Sequence, residues 1–334
     1  MRLLQGHTIS CDGASEHKED TGQSTNLRGT AHQPTHTWEQ AGKDALIPRF
    51  EAQGLAVNGK LYVFGGFFNS KIEATLQSDK HDPATNTWTP IAPLPEPVTH
   101  AGQTTDGKFI YLAGGFVGDH PGPSSNKLWK YHIETDTWGE GPPLPEKRGG
   151  GALVLLNNSL HYFGGVIRTP DGKYMKDFGD HWVLQMDHPN AIWGTAALLP
   201  NPRNHMGGCA AGGKIYAVGG QHLGDERGGN QSSVHVYDPL KDAWTAIADL
   251  PVPKGHVTAN VIERKGRIIV VSGVTQGQRK MATIDEYNPK TNTWVALTPL
   301  PEPRQSPVSG IIDDQLIVTG GSLSVTTWIG RLTP

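Results

Sequence analysis

Glu51, His100 and His205 stand out because each lies fourteen residues before a glycine pair, Gly65-Gly66, Gly114-Gly115 and Gly219-Gly220, and His256 lies sixteen before Ser272-Gly273. Counting back fourteen residues from the first glycine of each pair gives Glu51, His100, Gly150, His205 and Ser306. The remaining copy is expected to carry a hairpin two residues longer, Glu263-Arg264-Lys265-Gly266, which makes His256 its equivalent. Three imidazoles and a carboxylate gathered at one place are the usual ligands of a divalent metal such as zinc, manganese or iron. Without a metal the same His100, His205, His256 and Glu51 would act as general acids and bases on a bound ligand. The plain alternative is a set of polar groups lining a water-filled channel. Around a six-fold axis, Glu51 is expected to face His205, and His100 to face His256.

Two residues earlier the same positions read Arg49, Val98, Arg148, Arg203, Lys254 and Arg304. Guanidinium offers a planar, two-pronged donor, so Arg49, Arg203 and Arg304 are expected to orient a carboxylate or phosphate. The alternative is that these cations only bond to neighbouring turns. Loops that follow the glycine pairs add Asp119, His120, His222 and Asp225 as ligand-binding candidates. Asn69, Arg168, Asp171, Gln276 and Arg279 lie in the same loops.

These positions have meaning only if one unit is repeated. A β-branched and aromatic run closing on small residues recurs six times, as Leu61-Tyr62-Val63-Phe64-Gly65-Gly66, and then at residues 110–115, 160–165, 215–220, 268–273 and 316–321. Tryptophan recurs in phase at Trp38, Trp88, Trp138, Trp193, Trp244 and Trp294. Turn signals such as Asp82-Pro83-Ala84-Thr85-Asn86 and Asn288-Pro289-Lys290-Thr291-Asn292 precede the tryptophans, and Leu-Pro pairs follow them. Each period therefore reads as four antiparallel strands, a sheet that must stack on its neighbours around an axis to bury both faces. In such a sheet the start of the first strand and the end of the second lie at the same end, which places the rings and loops above at one mouth.

The glycine pairs in phase with the tryptophans resemble the kelch repeat over residues 35 to 332. The resemblance implies an all-β, six-bladed kelch β-propeller over 34–334, of the galactose oxidase-like superfamily. Trp38 lies in a fourth strand with no first three before it, and Thr326-Thr327-Trp328-Ile329 reads as a third strand with no fourth after it. The N-terminal strand is thus expected to join the last blade and close the ring. Residues 1–33 are polar, without hydrophobic periodicity, and read as a disordered tail.

Composition narrows the function. Lys+Arg 29 against Asp+Glu 32 gives a net charge of -3, which argues against a nucleic-acid partner. No apolar run approaches the roughly 18 residues that would suggest a membrane span. Cys11 and Cys209 are too few for a cystine framework or a thiolate metal cluster. No secretory h-region is seen, so a cytoplasmic address is the default, with secretion or a periplasmic address open if the start is misannotated or processed.

The axial His/Glu/Arg set favours a small-molecule enzyme acting on an acidic sugar or similar anionic, carbohydrate-like ligand. Gly255-His256-Val257-Thr258 is similar to a blade entrance of the bacterial sialic-acid mutarotases, six-bladed kelch proteins themselves. A ring of three histidines and an oxygen ligand is similar to that of propeller-type uronate lyases. These likenesses imply a mutarotase or a carbon–oxygen lyase, with one divalent metal in the second case. The alternative is a kelch module that binds a protein partner without catalysis.

Overall fold

The computed structural model describes residues 37–332 apart from 43, 188–189 and 226–228. The tail expected at 1–33 lies outside the described residues. Six four-stranded antiparallel sheets follow one another, as expected. The first blade runs Gln53–Val57, Lys60–Phe64, Ser78–Asp82 and Thr87–Ile91. The innermost strands of the six blades are Gln53–Val57, Gly102–Thr105, Ala152–Leu156, Gly207–Ala211, Val261–Arg264 and Val308–Ile312. Each adjoins the next, and the last adjoins the first.

The ring closes as the strand count requires. Trp38–Gln40 pairs antiparallel with Thr327–Arg331, with Trp38 opposite Gly330 and Gln40 opposite Trp328, and so supplies the sixth blade's outer strand. Second strands of each blade are apolar on both faces, because neighbouring blades cover them. Leu61, Phe64, Ile110, Phe163, Ile215, Ile268 and Leu316 are fully buried there. The tryptophans latch blade to blade: Trp138, Trp244 and Trp294 donate from Nε1 to the carbonyls of Ala92, Ala197 and Ala248 at 2.9–3.0 Å. Their spacing is therefore architectural.

The glycine pairs are required by close approach. Gly114 and Gly115 both have positive φ (67° and 95°), and a Cβ on Gly114 would stand 2.4 Å from the Arg148 carbonyl oxygen. The fifth blade differs from expectation. Its hairpin turns on Lys265 and Gly266 alone, with Arg264 opposite Arg267, matching Ala211 opposite Lys214 in the fourth blade. The two extra residues lie earlier, in a turn where Asn260 N–H donates to the Val257 carbonyl. His256 remains the equivalent position, because Gly255 bridges to Val274 as Asn204 bridges to Gln221.

Among the described residues no helix is long and apolar enough to cross a membrane.

Candidate functional site

The residue before each ring position pairs with the residue after the small-residue pair: Phe50 with Phe67, Thr99 with Phe116, Gly149 with Val166, Asn204 with Gln221, and Gly255 with Val274. That short ladder holds blade entrance and post-glycine loop at one mouth. The chain then turns sharply. Glu51, His100, Gly150, His205, His256 and Ser306 have φ of 54°, 55°, 67°, 51°, 58° and 49°. All six are in the left-handed region, where glycine is at ease and an ordinary L-residue is disfavoured. Five of the six blades nevertheless carry a side chain there. In the third, a Cβ on Gly150 would come 2.8 Å from the His205 backbone nitrogen and 3.2 Å from its Nδ1, so His205 occupies that space.

The side chains meet on the axis instead of facing each other across a channel. His100 and His205 stack edge to face at 4.4 Å between centroids, and His205 and His256 at 4.6 Å. His100 and His256 each touch both Glu51 and His205, so Glu51 and His205 sit on opposite sides of the cluster. Glu51 lies beside His100, whose Nε2 is 3.1 Å from Glu51 Oε2, and its other oxygen accepts short bonds from His256 Nδ1 and Ser306 Oγ. The expected pairs keep their places but the distances are short, because Gly150 leaves room for His100 and His205 to close on one another. All four ionisable ring residues are at least 95% buried.

Electrostatics divides them. Burial pushes the Glu51 carboxyl up, but the His100 and His256 imidazoles outweigh it and hold the group well below the usual carboxylate range. Burial opposes charge on His256, and Glu51 and Asp225 overcome it and raise its pKa. His205 goes the other way: burial, with His100 and His256 adjacent, drives its pKa well below the ordinary imidazole value. One imidazole is thus held charged and another neutral within the same ring.

Above the ring lies a cavity of about 650 Å³ lined by Glu51, His100, His205 and His256. Of the loop candidates, His120 and Asp225 line it and Asp119 and His222 do not. Asp119 instead accepts from Ala74 N–H at 2.8 Å, tying two loops together. Asp225 Oδ1 comes 3.2 Å from His256 Nε2. Phe67, Ile72 and Leu223 give the cavity apolar walls, and Arg168 lies among them. Arg168 is 7% exposed, sits 3.5 Å over the Phe116 ring, donates from Nε to the Gly122 carbonyl, and leaves Nη2 without a hydrogen-bond partner.

The collar does not form a ligand site. Arg49, Arg203 and Arg304 are at most 3% exposed and are absent from the cavity wall. Arg49 pairs with Asp79 and the Gln77 carbonyl, and Arg304 with Glu302 and the Gly320 carbonyl. Arg203 donates to the carbonyls of Gly219, Asn201, Ala217 and Ser233. Arg148 and Lys254 pair with Asp180 and Asp285 in the same way. The collar carbonyls are used as well: Gly115, Gly165, Gly220 and Gly321 donate N–H to Arg148, Arg203, Lys254 and Arg49. Each cation bonds within the blade it enters, while its backbone carbonyl, where bonded, ties to the preceding blade. The Nε atoms of Arg49, Arg148 and Arg304 that lack a partner are buried away from the cavity.

Sequence reasoning missed the groups that orient the imidazoles. Thr99 Oγ1 lies 2.8 Å from His100 Nδ1, and Asn204 Oδ1 bonds His205 Nδ1. Asp177 accepts in turn from Asn204 Nδ2 and from Leu223 N–H. The position just ahead of each ring residue was the available signal, since Thr99 and Asn204 both occupy it.

The KLHDC2/KLHL20/DRC7 Kelch-repeats domain model matches residues 99–321. The chain is 28% identical to Kelch-like protein 35 of Mus musculus, over 57% of this chain and 30% of that protein. It is 29% identical to Kelch-like protein terF of Aspergillus terreus, over 71% of this chain and 52% of that protein. To Kelch repeat and BTB domain-containing protein 12 of Homo sapiens it is 24% identical, over 58% and 33%. The chain thus spans about a third to a half of the length of these relatives. These matches overturn the expected enzyme of acidic sugars: they are to kelch-like proteins, and they favour the protein-interaction alternative over a mutarotase or lyase. The buried collar removes the anion grip on which the enzyme reading relied. The chain belongs to the kelch-repeat β-propeller family.

Proposed function

We propose that this propeller is a protein-recognition module that takes a segment of a partner protein into the axial mouth. The kelch-like relatives support the class of function, and one observation on this chain supports the place: the roughly 650 Å³ cavity combines apolar walls with the Arg168 guanidinium, whose Nη2 has no hydrogen-bond partner. Apolar walls flanking a buried, unpaired donor suit a partner segment that brings an apolar side chain together with a carboxylate. Leaving that donor unsatisfied is costly, so a partner that satisfies it gains both affinity and register. The reading carries with it the cytoplasmic address expected from the sequence.

The test is proximity crosslinking followed by quantitative mass spectrometry, with the parent chain and Tyr174→Ala compared in the same cells. Tyr174 is half-exposed on the cavity wall, so its loss alters the mouth without touching the core. A defined partner that crosslinks to the parent through mouth residues and falls away in Tyr174→Ala supports the reading. A partner that crosslinks only to the outer strands, with equal yield from both proteins, contradicts it.

A further inference from the structure

Protein recognition gives no use to three imidazoles packed together under the cavity. Their donor atoms lie within 4.8 Å of one another, and all three residues are buried. Donors around a tetrahedral zinc ion stand about 3.3 Å apart, given Zn–N distances near 2.05 Å. Small rotations about the side-chain bonds would close that difference.

The surrounding hydrogen bonds orient His205 and His256, whereas His100 would have to exchange its contact with Glu51 or Thr99 for the ion. Asn204 Nδ2 donates to the Leu223 carbonyl at 3.0 Å and to Asp177, which leaves Asn204 Oδ1 as the acceptor facing His205. His205 Nδ1 must therefore carry the proton, and Nε2 the lone pair. Glu51, an acceptor, holds His256 Nδ1 in the same way. His256 Nε2 is buried and its nearest polar neighbour is Asp225 Oδ1 at 3.2 Å, on the cavity side. A carboxylate or amide oxygen on the far nitrogen of a ligating histidine is the arrangement by which proteins orient imidazole toward a metal. The backbone adds an independent observation, because the three histidines hold a left-handed conformation that glycine would adopt at lower cost.

We infer that His100, His205 and His256 bind one divalent first-row transition-metal ion, such as zinc, on the wall of the axial cavity. Imidazole nitrogens suit zinc and its neighbours rather than calcium or magnesium, which take oxygen ligands, and a bound ion would displace the proton from the charged imidazole. The fourth position opens to the cavity, where Asp225 or a donor from a bound segment could complete the set. The site is independent of the recognition reading, and each can fail without the other.

The tag-free full chain, stripped with chelator, is dialysed against micromolar zinc chloride and its metal content measured. One ion per chain is expected in the parent protein and in His222→Gln, with affinity weakened by about 100-fold or more in His205→Gly. Cobalt(II) supplies the second readout: its visible d–d absorption should appear with the parent chain and vanish with His205→Gly and with His256→Gly. Thermal unfolding with and without zinc covers a variant that folds poorly, since the midpoints of the parent and His222→Gln should rise and those of His205→Gly and His256→Gly should not. A parent chain that retains no stoichiometric ion overturns the inference. So does a His205→Gly variant that binds zinc with parental affinity, because the ion would then lie elsewhere.

Discussion

Two rings of polar residues circle the axis two positions apart, and they have opposite fates. The first, of Glu51, His100, His205, His256 and Ser306, turns through left-handed backbone toward the axis, and its imidazoles line an open cavity. The second, of Arg49, Arg148, Arg203, Lys254 and Arg304, is buried away from the cavity and ends on carboxylates and carbonyls of the blade each residue enters. Repetition put a charge at nearly every position of the second ring because every blade needs the same joint. It left the first ring mixed, with Glu, His, Gly and Ser at equivalent places. Uniform charge around a repeat marks scaffold, and variation at a strained position marks a site.

That contrast breaks most sharply at Arg203. Truncation to Ala removes the guanidinium from four carbonyls, of which that of Ser233 keeps the Gly219 N–H, and the expected loss of folding stability is roughly 4 kcal/mol by urea unfolding. A loss within experimental error would mean that the collar is not structural.

A second test sets the axial histidines against a closed pair. His161 Nδ1 and His181 Nε2 lie 3.0 Å apart in the core, and burial lowers their pKa to about 4 and about 3. Both are neutral when folded, whereas the unfolded chain takes up protons below pH ~6.5. Stability is therefore full above about pH 6.5 and falls as the pH drops toward 4, by up to roughly 3 kcal/mol for His161 alone. Chemical denaturation across that range should show the fall, with a shallower slope in His161→Gln. An unchanged slope would remove this pair from the acid response.

A smaller effect belongs to the blade latches. Trp244→Phe keeps the ring and loses the bond to the Ala197 carbonyl, for about 1 kcal/mol of stability. Mouth properties should be untouched. If partner or metal binding changed as well, scaffold and site would not be separable.

Much of this was legible in the sequence. Phase between glycine pairs and tryptophans yields six blades, the strand that closes the ring, and the equivalence of the six ring positions, because backbone periodicity survives wherever turn chemistry repeats. Where a side chain ends is not periodic. Arg203 and His205 share a segment, and only tertiary contacts send one onto its own blade's carbonyls and the other to the axis. Gly150 is in the sequence only a ring position without a side chain, and the structure shows that His205 fills the space. Insertion placement failed for a similar reason, since a turn at Val257–Asn260 and a longer hairpin at Glu263–Gly266 give the same residue count.

The smallest predicted effect is the most decisive. His205→Gly removes the central imidazole and relieves a left-handed backbone position, so its unfolding free energy in urea should stay within about 1 kcal/mol of the parent's. A loss as large as that of Arg203→Ala would show that the histidine ring is a structural plug, and would contradict the division between scaffold and site.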